Sequence, residues 1–168
     1  MSVLLLGASG ELGEAIVRKL LDQGDEVRAI ENEPSSAASL RDLGVHIARG
    51  REIDSDLIER AGQNARTLIV IDPEDAVVTE AIEAARNAAI ERLIVCGQVG
   101  REIVEVVRSS GLQYVILLGT ERGRLLRRSV PAAAVAEAVD AADDLAGEPH
   151  LELDLTRGSA WKELGLER

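Results

Sequence analysis

Three glycines near the start of the chain form the residue pattern with the clearest chemical use. They follow the apolar residues 3–6 and open a stretch in which leucine, isoleucine and valine recur at helical spacing. A strand, a glycine turn and a helix in that order present backbone N–H groups and the positive end of a helix dipole to a phosphate. The pattern therefore predicts the pyrophosphate site of a dinucleotide, formed by Gly7, Ala8, Ser9, Gly10, Glu11, Leu12 and Gly13.

Two polar residues after the second predicted strand indicate where the ribose of such a ligand would lie. Glu31 and Asn32 follow the strand at residues 25–30, and Glu31 stands about twenty residues beyond the glycine turn. A carboxylate there accepts hydrogen bonds from both ribose hydroxyls and repels a 2′-phosphate. Since no arginine or lysine occurs in the glycine turn or at residues 29–33, the sequence favours NAD over NADP. The alternative is that these polar side chains are solvated turn residues before a proline.

Strand and helix patterns alternate along the chain and predict the fold that positions the glycine turn. Such alternation implies right-handed βαβ units in a three-layer α/β/α, Rossmann-like, doubly wound and mainly parallel sheet, with strand order 3-2-1-4-5-6. The last strand alternates leucine with acidic residues, so we expect it at an edge. Predicted strands cover residues 3–6, 25–30, 45–48, 67–71, 92–96, 114–118 and 151–155. A first helix follows the glycine turn, and further helices cover residues 34–43, 54–61, 74–89, 102–109 and 131–145.

The same alternation predicts the extent of the domain and the edge of the sheet that binds ligand. We expect one NAD(P)-binding domain over residues 1–157 and a C-terminal tail at 158–168 that packs on the same domain. In a doubly wound sheet the ligand lies outside the carboxyl ends of the strands. Ile71 and Asp72, where the fourth strand ends, therefore join the predicted cofactor-binding residues.

The composition limits the classes of function open to the chain. Of 168 residues, 46% are hydrophobic and 1% aromatic, so the core must be aliphatic, which suits a parallel sheet buried on both faces. A net charge of −11 argues against nucleic acid or an anionic membrane as partner, because both need a basic surface. No apolar run approaches membrane-spanning length, and we expect a cytoplasmic protein. One cysteine and two histidines fall short of a metal-ligand pattern, so no metal site is predicted.

Three further phrases along the chain, together with the glycine turn, resemble a known family. They are Glu91-Arg92-Leu93-Ile94-Val95, Ser110-Gly111-Leu112-Gln113-Tyr114-Val115-Ile116-Leu117 and Val135-Ala136-Glu137-Ala138-Val139. In their order and spacing, from residue 1 to about residue 157, they resemble the atypical short-chain dehydrogenase/reductases, particularly the NmrA-like branch. The resemblance implies a Rossmann-like fold and a dinucleotide pocket.

The chain departs from that family at the residues that would carry catalysis. The family's reductases use a Tyr-x-x-x-Lys pair, in which the tyrosine transfers a proton and the lysine lowers its pKa and holds the ribose. The two lysines here are Lys19 and Lys162, and neither stands four residues after a tyrosine. Tyr114 opens a predicted strand and is interpreted as a buried structural residue, so the catalytic residues are unknown. Gly50-Arg51 also replaces the Gly-Asp that relatives often place against the adenine.

Two other groups of side chains could take part in chemistry. Cys96 ends the fifth strand near the place of the family's catalytic serine, but no partner base is visible for it, and we interpret it as a buried, inert thiol. Arg122, Arg124, Arg127 and Arg128 follow the sixth strand, where guanidinium groups could clamp a carboxylate or phosphate. The alternatives for these arginines are a solvated turn or a contact with an acidic face of another copy.

Three functions remain open on these observations. The first is a non-catalytic, dinucleotide-binding sensor or regulatory module, which follows from a glycine turn without an acid–base pair. The second is an oxidoreductase that transfers hydride from a nicotinamide to a flavin or quinone-like acceptor, since such acceptors do not require a proton relay. The third is an interaction protein with a vestigial pocket. The first two predict a dinucleotide or another small anionic ligand as partner.

Overall fold

The computed structural model describes residues 1–119 and 130–167. The strands are β1 Ser2–Leu6, β2 Glu26–Ile30, β3 His46–Ala48, β4 Thr67–Ile71, β5 Arg92–Cys96, β6 Gln113–Leu118 and β7 His150–Asp154. The helices are α1 Glu11–Asp22, α2 Pro34–Leu43, α3 Ser55–Ala61, α4 Asp75–Asn87, α5 Arg101–Arg108, α6 Ala132–Asp143 and α7 Gly158–Glu163. The strands pair in parallel in the order β3-β2-β1-β4-β5-β6-β7. This arrangement confirms the Rossmann-like, doubly wound fold class and the predicted strand order, and β7 lies at an edge as expected.

The central strands are buried on both faces because their side chains are almost all aliphatic. Every residue of β4 and β5 is buried. Successive side chains along a strand point to opposite faces, so they enter two separate clusters. Ile69 and Ile94 lie in the first cluster with α1, α6 and α7, whereas Leu68 and Leu93 lie in the second with α3, α4 and α5. The described residues therefore form a three-layer α/β/α sandwich.

The connection from β6 to β7 through α6 has the opposite hand to the other crossovers. The steps β1–α1–β2 and β4–α4–β5 run in opposite directions across the sheet with their helices on opposite faces, so they share one hand, which is right-handed by the usual rule for parallel strands. The step from β6 to β7 runs in the same direction as β4 to β5, yet α6 lies on the face of α1. It is left-handed, which departs from the right-handed units expected from the sequence. As a result α6 packs along α1, where Lys19 and Asp140 form an ion pair at 3.3 Å.

Two arginines hold the C-terminal end of α6. The guanidinium of Arg92 donates hydrogen bonds to the carbonyl oxygens of Ala142 at 2.9 Å and Leu145 at 2.7 Å. Arg66 and Arg92 both donate to the carbonyl oxygen of Asp143. These bonds satisfy carbonyl groups that the end of a helix leaves without partners inside the helix. The helix ends at Asp143, two residues before the end predicted from the sequence.

Other element ends follow from local side-chain chemistry. Asp54 is the N-cap of α3, and its carboxylate accepts a hydrogen bond from the Leu57 N–H at 2.9 Å. Trp161 in α7 is 5% exposed, and its indole N–H donates to the carbonyl oxygen of Leu155 at 2.9 Å. The indole thus ties α7 to the residue that follows β7, and the remaining predicted elements end within two residues of the observed ones.

The helices of the described residues are short. The longest of them, α4, has 13 residues, whereas a bilayer core requires about 20 apolar residues. Over residues 1–119 and 130–167 no helix has both the length and the apolar character needed to cross a membrane.

We predict that Arg92→Met lowers the free energy of unfolding by about 2–4 kcal/mol, because it leaves several carbonyl groups at the end of α6 without partners. The measurement is urea unfolding followed by circular dichroism. Arg18→Met, an exposed position on α1, is the matched control and should change the unfolding free energy by less than about 0.5 kcal/mol. Equal midpoints for Arg92→Met and wild type would show that α6 does not depend on this anchor.

Candidate functional site

The glycine turn joins β1 to α1 through a backbone conformation that other residues avoid. Gly10 has φ 89° and ψ 175°, a region that is essentially restricted to glycine. A Cβ atom on Gly10 would point into open space, with no described atom within 4 Å. A Cβ on Gly13 would instead lie 2.1 Å from the carbonyl oxygen of Ala8. Gly13 therefore lets α1 begin against the turn, and Gly10 leaves the space beside the first turn of α1 open.

The first turns of α1 and α6 border the same cavity. Gly10 is the N-cap of α1, and Ala132 is the first residue of α6. Helix N-termini favour anions through their free N–H groups and through the helix dipole. The described lining includes two carboxylates and no positive side chain, so an anion here would be held by backbone N–H groups. The cavity has a volume of about 200 Å³ and is lined by Ser9, Gly10, Glu11, Leu12, Asp72, Gln98 and Ala132.

Asp72 connects the end of β4 to the turn after β5. Its carboxylate accepts a hydrogen bond from the Gln98 N–H at 2.7 Å, and its own N–H donates to the Cys96 carbonyl oxygen at 3.0 Å. Asp72 has φ 49°, a left-handed conformation that aspartate adopts more readily than most residues. Asp72 and Gln98 also border a second, wider cavity, so the two cavities meet there. The wider cavity measures about 690 Å³ and is lined by Asp72, Pro73, Glu74, Asp75, Gln98, Val99, Gly100 and Ile103.

Two of the predicted cofactor-binding residues lie in the core rather than on a cavity wall. Ala8 is 0% exposed and Ile71 is 3% exposed, and both belong to the cluster beneath α1. Their side chains support the turn, so only their backbone atoms could reach a ligand. Ser9, Gly10, Glu11, Leu12 and Asp72, by contrast, line one cavity together.

The predicted ribose site lies where β2 leads into α2. Glu31 is partly buried, and its carboxylate accepts a hydrogen bond from the Glu33 N–H at 2.8 Å. The side-chain oxygen of Asn32 accepts from the Gly50 N–H at 3.1 Å, which ties this turn to the end of β3. A small cavity beside the turn separates α1 from α2. It measures about 130 Å³ and is lined by Ser9, Gly10, Glu14, Ser35, Ser36, Ser39 and Leu40.

Sequence reasoning missed one side chain at this end of the site. The guanidinium of Arg49, which follows β3, donates a hydrogen bond to the carbonyl oxygen of Asn32 at 3.1 Å. The predicted preference for NAD rests on the glycine turn and residues 29–33, which contain no arginine or lysine. The signal was nevertheless available, because the predicted strand order places the third strand beside the second and brings residue 49 next to residue 32.

The residues considered for catalysis are not gathered at the cavities. Tyr114 is 9% exposed at the start of β6, at the opposite end of the sheet from the glycine turn, and its ring meets His150 edge-on at 5.3 Å. Cys96 is 0% exposed, and burial raises the pKa of its thiol to about 12, with a smaller contribution from the nearby Asp72 carboxylate. The four arginines considered as an anion clamp lie within residues 120–129, outside the described residues.

A separate groove lies between α4 and α5, on the opposite face of the sheet from α1. It contains no residue of the glycine turn, and its most exposed apolar side chain is Val106, at 42%. This groove, termed the α4–α5 groove below, measures about 550 Å³ and is lined by Thr79, Ile82, Glu83, Arg86, Glu105, Val106, Ser109 and Ser110.

Comparison with known proteins identifies a family and a set of structural relatives. Residues 3–118 match the TrkA-N domain, a family of NAD(P)-binding Rossmann domains. The photosystem II assembly factor Ycf39 of Cyanophora paradoxa is 28% identical over 158 residues, which cover 78% of this chain and 49% of that protein. The chain spans half or less of the length of the curated relatives that it matches.

Two solved structures from Escherichia coli illustrate the structural likeness. The NADPH-dependent quinone oxidoreductase QOR2, in complex with NADPH, has a TM-score of 0.72 at 16% identity, covering 98% of this chain and 76% of its own. ChuY, an anaerobillin reductase from strain O157:H7, has a TM-score of 0.70 at 18% identity, covering 90% of this chain and 95% of its own. At these identities the likeness shows the shared fold.

We predict that the Cys96 thiol of the folded protein does not react with an aromatic disulfide reagent at pH 8. A thiol with a pKa of about 12 is ionised to roughly one part in ten thousand at that pH, and the thiolate is the reactive form. The release of the coloured thiol is measured with and without denaturing urea, and unfolded chain should release one equivalent at once. Rapid release by folded protein would show an accessible thiolate and reopen a nucleophilic role for Cys96.

Proposed function

The chain belongs to the TrkA-N domain family, and on this premise we propose that it binds a nicotinamide dinucleotide and acts as a sensor or regulatory module. The observation that carries the proposal is the open space beside the first turn of α1, bordered by the glycine turn and by the start of α6. Backbone N–H groups from two helix N-termini suit a pyrophosphate. The name of the Cyanophora relative describes an assembly factor rather than a reaction, which supports a non-catalytic role.

The three cavities suggest how the parts of the dinucleotide are distributed. We place the pyrophosphate over residues 9–12, in the cavity between α1 and α6. The adenosine ribose then lies near Glu31, beside the small cavity between α1 and α2. The nicotinamide extends past Asp72 and Gln98 into the wider cavity. This direction follows the general rule that ligands of doubly wound sheets lie across the carboxyl ends of the strands at the point where the strand order reverses.

Glu31 is the residue that we propose favours NAD. One carboxylate oxygen of Glu31 accepts the Glu33 N–H, and its second oxygen remains a candidate acceptor for the ribose hydroxyls. A carboxylate at this place repels a 2′-phosphate. The complex of QOR2 with NADPH shows that the shared fold also accommodates NADP(H) in a relative, so the preference of this chain rests on its own residues.

A second candidate is hydride transfer to a quinone-like acceptor. It is favoured by the wider cavity beside the nicotinamide position and by two structural relatives that are named as a quinone oxidoreductase and an anaerobillin reductase. A quinone that accepts hydride becomes a delocalised anion, which can take its proton from water. Such a reaction needs no Tyr–Lys pair. The assignment to the atypical, NmrA-like branch rests on the sequence phrases that resemble that branch.

We predict that Gly10→Ala weakens NADH binding at least about tenfold, because the new methyl group would occupy the space assigned to the pyrophosphate. Gly24→Ala is the matched control, since Gly24 has φ 87° and open surroundings but lies at the far end of α1. Both variants place a side chain at a positive φ and therefore carry backbone strain of about 1–3 kcal/mol, and thermal unfolding shows whether each variant remains folded at the temperature of the titration. Equal NADH affinity in the two variants would show that the dinucleotide does not lie over Gly10, whereas wild-type protein that binds no dinucleotide would indicate a vestigial pocket.

We predict no turnover of aldehydes, ketones or sugar nucleotides with NADH or NADPH, followed at the nicotinamide absorbance. Carbonyl reduction requires a positioned acid, which typically contributes roughly 10²–10⁴-fold, and the buried Tyr114 lies at the other end of the sheet. A parallel panel of quinones distinguishes the second candidate from the first. Carbonyl turnover that is lost in Tyr114→Phe would show that the active site has been misidentified.

A further inference from the structure

The turn between β2 and α2 is tied to the end of β3 by two hydrogen bonds. Arg49 donates through its guanidinium to the Asn32 carbonyl oxygen at 3.1 Å, and the Gly50 N–H donates to the Asn32 side chain at 3.1 Å. Because these bonds fix both the backbone and the side chain of Asn32, the guanidinium is held next to the residue that follows Glu31. A positive group thus stands beside the turn near which we place the adenosine ribose.

The surroundings of that place are otherwise rich in carboxylates and hydroxyl groups. Glu31 and Glu33 belong to the turn, and Glu14 lines the small cavity beside it. Both turn carboxylates already accept hydrogen bonds. Glu31 accepts from the Glu33 N–H, and Glu33 accepts from the Ser35 hydroxyl in α2 at 3.0 Å. Serine hydroxyls line the same cavity and are suitable donors to a phosphate. Among the described residues that line the small cavity or form a hydrogen bond with this turn, Arg49 is the one with a positive side chain.

We infer that Arg49 holds the 2′-phosphate of NADP(H) and thereby limits the preference for NAD that Glu31 produces, an inference that rests on the proposed function. A guanidinium has five N–H donors, so its bond to Asn32 leaves capacity for a phosphate. Its planar fork matches the oxygen atoms of a phosphate, and such charge-assisted bonds are stronger than neutral ones. The preference between NAD and NADP is accordingly set by the Glu31 carboxylate, which follows β2, and by the Arg49 guanidinium, which follows β3.

The experiment measures the dissociation constants of NADH and NADPH by the fluorescence of the reduced nicotinamide. Wild-type protein should bind both, with NADPH within about tenfold of NADH. Arg49→Ala should weaken NADPH at least about tenfold and NADH by less than about twofold, since NADH carries no 2′-phosphate. Arg49→Lys should restore part of the NADPH affinity, because it returns the charge without the fork. Raising the salt concentration should reduce the difference between wild type and Arg49→Ala, because the group is exposed and its charge is screened.

Arg41→Ala is the matched control, because it removes the same charge from the exposed far end of α2 and should leave both constants within about twofold of wild type. Equal losses of NADH and NADPH in Arg49→Ala would overturn the inference, because they would show that the guanidinium acts through the turn that it holds rather than on a 2′-phosphate. Unchanged affinities in Arg49→Ala, or wild-type protein that binds NADH alone, would also overturn it while leaving the proposed function intact. Wild-type protein that binds neither dinucleotide would contradict the proposed function itself.

Discussion

The close approach of α1 to the end of β1 is the constraint on which the proposed ligand-binding edge of this protein depends. Gly13 permits that approach, since a Cβ atom at this position would lie 2.1 Å from the Ala8 carbonyl oxygen. With α1 in this place, its first turn faces the edge where the parallel strands end, and Gly10 keeps the adjacent space open. A residue larger than glycine at position 13 would push the helix start away from the sheet and enlarge the distance that backbone N–H groups must span to a phosphate.

The position of α6 depends on its packing against α1 and on two arginines at the end of the sheet opposite the glycine turn. Its left-handed connection brings it to the face of α1, where small alanine side chains allow a close contact and Lys19 pairs with Asp140. Arg66 and Arg92, at the start of β4 and β5, fix its C-terminal end. A helix of 12 residues is rigid over about 18 Å, so anchors at one end of the sheet set where its first residue lies at the other. This arrangement explains why two helix N-termini border one cavity.

Most of the fold was predictable because aliphatic strand patterns and glycine turns are local signals. The strand at residues 92–96 was predicted with its observed bounds, and the strand order followed from the alternation of elements. The left-handed connection was not predictable, because the hand depends on which face α6 packs against rather than on its own pattern. The end of α6 was misplaced for a related reason, since Arg92 lies about fifty residues earlier in the chain and meets the helix only after folding. At the candidate site, Gly10 was predicted from a local glycine pattern and Asp72 from the end of its strand, and both line one cavity. Arg49, by contrast, meets Asn32 only because β3 pairs with β2.

The central claim is that a dinucleotide lies across the carboxyl ends of the strands, over the glycine turn. The most direct test is a titration of isotope-labelled protein with NADH, followed through the backbone amide resonances of each residue. If the dinucleotide lies there, saturable shifts are expected at the amides of residues 9–12, at Ala132 and at the turn that contains Glu31. Saturable shifts confined to the α4–α5 groove, or no shifts at any NADH concentration that the experiment reaches, would contradict it.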